Sequence, residues 1–447
     1  MITPILAVSS NMLRELLRRA SSYMFLLLVV VSAAVIPRAA SGESSLLMRL
    51  QLDVSYGMGL PIFLIGVAAV GLSAAALSRE VETRRTQLLV TKPIASWQIV
   101  AGKFLGILLV VATLLFAVLC VFAVNVSLAR RSSETEPWEL KRAHAAFFTV
   151  RESSPVLHSH DDGLRGGDGP EEEGRSGKRG EHPHRVSWLR AHPGESLALP
   201  FRVSPRPGDD NELLRVIYRI YSSDPQGAPR LDVTWRAGPP GEDAKPFVEE
   251  QEALHGTPQE LYLPVSVLSE GGELLLQLHN SMAADSRAVL LLNPERVEVL
   301  SIGGRFWPNV LRVFLLIFGQ LLLLSSLCLL GSAVFAFPTV TFMGLFLYTA
   351  ALSSGFLQET FDLYTSDSFQ VRSTMEVVVK RMAALGSYML SVLPDFSRLD
   401  PLGRLSGGRL LGVGELLHTL LWVVGVESLA AMGAAAWLFR RRELGKS

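Results

Sequence analysis

The stretch Ser78–Lys103, SREVETRRTQLLVTKPIASWQIVAGK, separates two long apolar runs, Met58–Leu77 and Phe104–Val124. Each run is long enough to cross a hydrocarbon core of roughly 30 Å. Between them Arg79, Arg84, Arg85, Lys92 and Lys103 outnumber Glu80 and Glu82. A short net-basic connector between two spans is expected on the cytoplasmic side. Its centre is amphipathic: Thr86, Leu88, Leu89 and Val90, then Lys92-Pro93, then Ile94 and Trp97. Pro93 predicts the end of a helix begun near Glu82, because the residue before proline is pushed out of helical geometry. A second helix can start over Ile94–Gly102. The product is a charged, partly apolar elbow beside the membrane, suited to docking a soluble partner.

The order Glu82, Thr86, Leu88-Leu89, Pro93-Ile94, Gly102-Lys103 resembles the cytoplasmic connector of exporter-type (type 2) ABC transporter permeases. The resemblance covers the connector, its flanking spans and the chain ends, and leaves the middle of the chain uncovered. It implies that this elbow contacts a separate ABC ATPase subunit and relays its movement. Glu82, Arg84, Arg85, Thr86, Leu89, Pro93 and Trp97 are the implied docking surface. It also implies a homodimer or a paired second permease, since one such chain supplies half of a usual path. The run Leu393-Pro394-Asp395-Phe396-Ser397-Arg398-Leu399 adds a likeness to the subgroup associated with multicopper-enzyme maturation.

Of the 447 residues 49% are hydrophobic and 19% charged, with a formal net charge of zero. That average hides two populations: strongly apolar ends and a middle rich in Gly, Pro and charge. The pattern calls for a membrane protein with an inserted extracytoplasmic region, and neutrality argues against a general nucleic-acid binder. The two cysteines, Cys120 and Cys328, both fall in expected spans and give no zinc set.

In chain order, residues 1–20 predict an amphipathic interfacial helix, with Ile5, Val8, Met12, Leu13 and Leu16 opposite Arg14, Arg18 and Arg19. Spans one to three fill residues 21–126, around the connector 78–103. The first is expected over Ser21–Ile36, with Pro37–Tyr56 as a short outer loop. A signal peptide ending near Ala39-Ala40-Ser41-Gly42 is the competing reading; the long amphipathic prelude favours an uncleaved span. Asn125-Val126-Ser127 is a glycosylation sequon by pattern, too close to the membrane for an acceptor. Residues 127–186 are expected as a linker, low in complexity from Arg151 to Val186. Over 187–304, short alternating runs such as Leu231/Val233/Trp235, Val216/Tyr218/Ile220 and Leu261/Leu263/Val265/Val267, separated by Gly/Pro turns, predict an antiparallel β-sandwich-like domain. Residues 305–447 return to the membrane for spans four to six and end in a basic tail, Arg440-Arg441-Arg442. The fold class is therefore an α-helical multi-pass membrane protein of about six spans with an inserted β domain. Both termini and the connector are expected in the cytoplasm of a bacterial plasma membrane.

No Walker A sequence, HExxH or Ser/His/Asp arrangement is present, so the chain is not expected to be an enzyme. No cofactor is expected on the chain itself; ATP would act through the partner ATPase. Leu405-Ser406-Gly407-Gly408-Arg409 looks like an ABC ATPase signature but abuts a span, which makes it a turn. His158, His160, Asp161, Asp162, His182 and His184 lie in a low-complexity stretch that offers no second shell to orient metal ligands, so no metal site is assigned. Ionisable groups inside spans are costly and draw attention. Glu427 sits mid-span, Gln320 is a possible partner on a neighbouring helix, and Arg312 lies near the start of the fourth span. Glu427 can line a substrate path or serve a structural pairing. The functional expectation is an ABC exporter permease in contact with membrane lipid. The alternative is a membrane-anchored binding or mechanotransmission protein that moves nothing across.

Overall fold

The computed structural model describes residues 3–18, 20–41, 46–82, 95–131, 147–154, 188–203, 213–224, 230–240, 246–269, 271–282, 288–365, 374–391 and 400–444. The chain divides into a helical unit (1–150, 305–355, 393–447) and a second unit (151–304, 356–392).

In the helical unit, α1 (Thr3–Leu17) precedes α2 (Ala20–Ser41). The two are bent by 76° at their junction, as a surface helix turning into a span would be. Next, α3 (Leu46–Leu52) passes through wide i→i+5 turns at Asp53–Met58 into α4 (Gly59–Glu82). The expected outer loop Pro37–Tyr56 is therefore mostly helical. Arg38, Arg49 and Asp53 give it a loop-like composition, yet its described residues, 37–41 and 46–56, are helical, and the apolar span covers Met48–Ser78. Helix α5 (Ser96–Arg131) carries the third apolar run. After the insertion come α6 (Phe306–Val334) and α7 (Phe337–Thr365). Helix α8 (Thr374–Ser391) belongs to the second unit, and the helical unit resumes with α9 (Pro401–Ser406) and α10 (Val413–Leu420). Wide turns at Leu421–Ser428 lead into α11 (Leu429–Leu444). Among the described residues five helices are long and apolar enough to cross a membrane, or six if the bent pair is one span.

One apolar core joins α2, α4, α5, α6 and α11, with Val29, Ile65, Ile107, Val313 and Phe439 fully or almost fully buried. Small residues set its closest approach. A methyl group on Gly66 would fall 2.2 Å from Tyr348, whose ring stacks on Phe63 at 5.6 Å. Such close backbones suit helices that have no hydrophobic drive to associate in lipid. The signature-like segment is a turn: Asp400 accepts from the Gly403 amide at the start of α9, and Gly408 takes φ +68° after its end.

Among the described residues the β-rich part of the chain holds ten short strands, β1 (Thr149–Ser154) to β10 (Glu298–Arg305). One sheet runs β1-β10-β4-β9-β2 with β7 also on β4; the other runs β3-β8-β5-β6. Here β2 is Leu189–Ala191, β3 Ser196–Arg202, β4 Leu213–Ser222, β5 Arg230–Gly238, β6 Phe247–Leu254, β7 Pro258–Pro264, β8 Glu273–Asn280 and β9 Leu290–Leu292. All the described pairings are antiparallel, and residues from both sheets enter one core: Val216, Tyr218 and Leu261 with Leu199, Trp235 and Leu276. The Tyr218 and Trp235 rings lie 4.7 Å apart, and the Tyr218 hydroxyl donates to Gln251 at 2.5 Å. Burial pushes that phenol up to about 12.

The expected alternation holds at Leu231, Val233 and Trp235, but two details differ. Val265–Val267 is a 3-10 turn after Pro264, since proline ends the ladder there. Arg215 is buried, because Glu260 across the sheet pairs with it. Strand β1 also falls inside the segment expected as linker.

Candidate functional site

The helices on both sides of the elbow are described. α4 ends at Glu82 and α5 starts at Ser96. The first turn of α5 is fixed locally: the Ala95 amide donates to Gln98 Oε1 at 3.1 Å, and the Gln98 amide donates back to the Ala95 carbonyl at 2.8 Å. Trp97 projects from this turn, 43% exposed. Lys103 reaches across to α4 and donates its ammonium to the Ala76 carbonyl. That contact ties the two elbow helices together near their connector ends. Arg84, Arg85, Thr86, Leu89 and Pro93 lie outside the described residues, as do His158, His160, Asp161, Asp162, His182 and His184. Of the elbow residues singled out from the sequence, the structure thus places Glu82, at a helix end, and Trp97.

Helix α1 is seated on the same end of α5. A Cβ at Gly102 would stand 2.7 Å from Val8 Cβ and 2.9 Å from the Ile5 carbonyl; one at Gly106 would stand 2.9 Å from the Met12 sulfur. Two glycines four residues apart make one shallow groove on a helix face, and α1 lies in it. The amphipathic face read as membrane-facing is therefore partly spent on protein: Val8 and Met12 pack on α5 while Leu6 and Leu17 stay exposed.

The intramembrane polar candidates separate. Arg312 donates to the Leu411 carbonyl at 3.1 Å. Beside it Asn309, fully buried, donates to the Arg409 carbonyl at 2.9 Å and accepts from the Leu411 amide at 2.9 Å. These side chains satisfy backbone groups where the chain enters the last span, a structural task. Glu427 is half-buried within the wide turns Leu421–Ser428, which pack against α6, the helix that carries half-buried Gln320. Glu415, three residues before His418 on α10, pairs with Arg404 at 2.8 Å.

A group absent from the sequence reading stands out. Asp53 is only 6% exposed, inside an apolar span. Its Oδ1 accepts from Asn125 Nδ2 at 3.1 Å; that nitrogen also donates to the Ala33 carbonyl at 3.2 Å. Asn125 Oδ1 in turn accepts from the Arg38 guanidinium at 3.0 Å, while Arg38 also donates to the Ala34 carbonyl at 2.7 Å. The sequon asparagine is thus a linker between two charges. The only sequence signal for the group was an acid close to the start of an apolar run.

Among the described residues no group of three or more His, Cys, Asp or Glu side chains could hold a metal ion. Residues 6–147 match the family model described as ABC-2 family transporter protein. No curated protein and no solved structure matches the chain. The matched stretch contains α1 from residue 6 onward, Gly102 and Gly106, both helices of the elbow and the Asp53 network. Together with the five or six apolar helices, the match supports a multi-pass membrane protein similar, over residues 6–147, to the membrane component of an ABC-2 type transporter.

Proposed function

We propose that the chain is the permease subunit of an ABC exporter, driven by a separate ATPase subunit that docks on the Ser78–Lys103 elbow. The observation that carries this reading is the seat of α1 on Gly102 and Gly106, beside the Lys103–Ala76 tie, within the family match. A force applied at the elbow reaches α1, α4 and α5 at once through these contacts. Glu82, Arg84, Arg85, Thr86, Leu89, Pro93 and Trp97 form the docking surface; ATP is bound and hydrolysed by the partner alone. The connector and both termini face the cytoplasm of a bacterial plasma membrane. Two copies of the chain, or this chain with a second permease, complete the path, surrounded by lipid. Within the family we keep the narrower likeness to the multicopper-maturation subgroup.

We read the two sheets with their common core as an extracytoplasmic β-sandwich. A second reading draws on one feature: β10 ends at Arg305 and α6 begins at Phe306, with no linker between them. A strand that continues directly into a span suits a membrane-anchored β unit that binds or transmits a signal outside the membrane without translocation.

Co-purification from membranes with the ATPase encoded beside this chain tests the main reading. Wild type should retain the ATPase, and Glu82→Arg with Leu89→Asp should lose it. Failure of wild type to retain any ATPase in mild detergent sinks the permease reading. Retention without movement of any solute in vesicles leaves the second one.

A further inference from the structure

We propose that Arg38, Asn125 and Asp53 form a clasp that locks the first three spans together at the end away from the elbow, and that it parts when this end of the bundle opens. The proposal rests on the permease reading only for what drives the opening.

Three observations carry it. The network bonds side chains from α2, from the wide turns before α4 and from α5, so it fixes three helices relative to one another. Apolar packing tolerates sliding, whereas directional hydrogen bonds define one placement. The network also grades from exposed Arg38 through half-buried Asn125 to buried Asp53. Water can therefore replace its bonds one after another from the exposed side, and exchanging a protein hydrogen bond for a water one changes free energy little. A pair sealed at the centre of the bilayer would lack that route. Finally, the fit is tight around the carboxylate: a Cβ on Gly57 would lie 2.5 Å from Pro37 Cγ and 2.6 Å from Asp53 Oδ1. The closed arrangement leaves no room for even a methyl group, so α2 and the wide turns are seated in contact when the clasp is shut.

The chemistry of the clasp permits an exchange. Asp53→Asn with Asn125→Asp keeps one carboxylate, one amide and one guanidinium. The carboxylate introduced by Asn125→Asp would accept from Arg38 and from the amide introduced by Asp53→Asn. Asn125→Asp leaves two carboxylates and removes the donor between them, whereas Asp53→Asn keeps the order of donors and acceptors and only makes the acceptor at position 53 neutral.

The test uses the full chain in membranes, with Cys120→Ser, Cys328→Ala and Val54→Cys. Val54 is fully buried beside Asp53, so a membrane-impermeant maleimide reports opening of this end. Asn125→Asp should raise the labelling rate about three- to tenfold, the effect on an opening equilibrium of losing one net hydrogen bond, and Asp53→Asn should raise it less, since a neutral acceptor replaces a charged one. The double exchange should lower it again from the Asn125→Asp rate toward background, short of full return because the donor to the Ala33 carbonyl is not restored. Equal labelling in all four proteins, or a double exchange that labels as fast as Asn125→Asp or faster, overturns the clasp. Rescue by the double exchange separates the clasp from simple misfolding. Where the ATPase co-purifies, trapping it with orthovanadate should change labelling of the Val54→Cys protein. No change there overturns the opening step while the lock stands; absence of any ATPase removes the permease reading and leaves the exchange result to decide the lock.

Discussion

The helical unit and the β-rich unit bury polar groups by opposite rules. In the helices, large apolar side chains point outward as well as inward: Phe342 is 74% exposed and Met24 71%, while Ile65 and Val313 are fully buried. With apolar surroundings on every side, a polar group has to find its partner within the protein. Asn309 bonds two backbone groups, Asp53 bonds Asn125, and Ser325, Ser326 and Ser332 turn their hydroxyls back onto the preceding helical turn. In the β unit, burial alternates along strands such as β3 and β8 and most polar groups sit on faces that reach water, although Asn280 is fully buried and donates to the Ala191 carbonyl. Arg215 is buried, but its partner Glu260 keeps a 40% exposed side chain. The difference teaches where polar substitutions hurt most: a broken polar contact strands its partner in the helices, and rehydrates it in the sheets.

The contrast breaks most easily at the β core. Trp235 is fully buried against Tyr218. Trp235→Ala should destabilise the β unit by about 3–5 kcal/mol, the usual cost of removing a buried aromatic side chain. Hydrogen exchange of the full chain in detergent should show protection lost over β3–β10 and kept over α4, α5 and α6. Equal loss in both units would mean that they unfold as one, and the contrast would not hold.

Next in size is Asn309→Leu. The shape is nearly kept, but the Leu411 amide and the Arg409 carbonyl each lose their partner. An unsatisfied buried group costs about 1–3 kcal/mol, so a total of roughly 2–4 kcal/mol is expected, seen as a lower unfolding temperature in detergent. A comparable polar loss in the sheets, Thr234→Val, removes one hydroxyl contact to Ser281 at the sheet face and should cost about 1 kcal/mol or less. If both substitutions cost the same, the idea of stranded partners fails.

Much of this contrast was legible in the sequence. Apolar runs announced the spans, and alternation announced β4, β5 and β7, because both patterns are local. What was not legible depends on residues far apart. Asp53 and Asn125 are 72 positions apart, and Arg38 and Asn125 are 87; nothing near any of them marks the others. Arg215 looked like a solvent-facing residue of an alternating strand until Glu260, 45 positions on, supplied its partner. Gly102 read as part of a motif and Gly106 was not singled out, and the geometric role of both needed α1 in place. The elbow centre rests on motif alone, since Arg84 to Pro93 lie outside the described residues.

A smaller effect sharpens the comparison by pH. His255 accepts from the Ser222 amide at 2.9 Å, and burial holds its pKa below 6.5. Its neutral form belongs to the folded state, so its contribution is complete above pH 6.5 and fades as pH falls below that. For Glu260, burial pushes upward, but hydrogen bonds from Arg215 and Tyr262 and the charges of Arg215 and Arg151 bring it below 4.5. Its contribution is complete above that value and is lost at more acid pH, as the folded-state carboxylate protonates. The β unit should therefore soften in two stages on acidification, the first removed by His255→Gln and the second by Glu260→Gln. Melting curves between pH 7 and 3 would show this; a single stage unchanged by His255→Gln would rule out the first assignment.

The smallest expected effect lies on the outer face of the four-stranded sheet. Arg230 meets Glu252 at 3.0 Å, with the two side chains 71% and 50% exposed. An exposed pair of this kind contributes about 0.2–1 kcal/mol and is screened by salt. The register makes the case more specific, because Asp232 stands directly across from Glu252. Like charges in that position repel, and Arg230 offsets the repulsion. Arg230→Gln should thus destabilise slightly at low salt and not measurably at high salt. Asp232→Asn in the Arg230→Gln background should restore most of the loss. If Asp232→Asn instead lowers stability in both backgrounds, the carboxylate is serving a contact of its own, and the rule that sheet-face charges rehydrate at little cost does not extend to this edge.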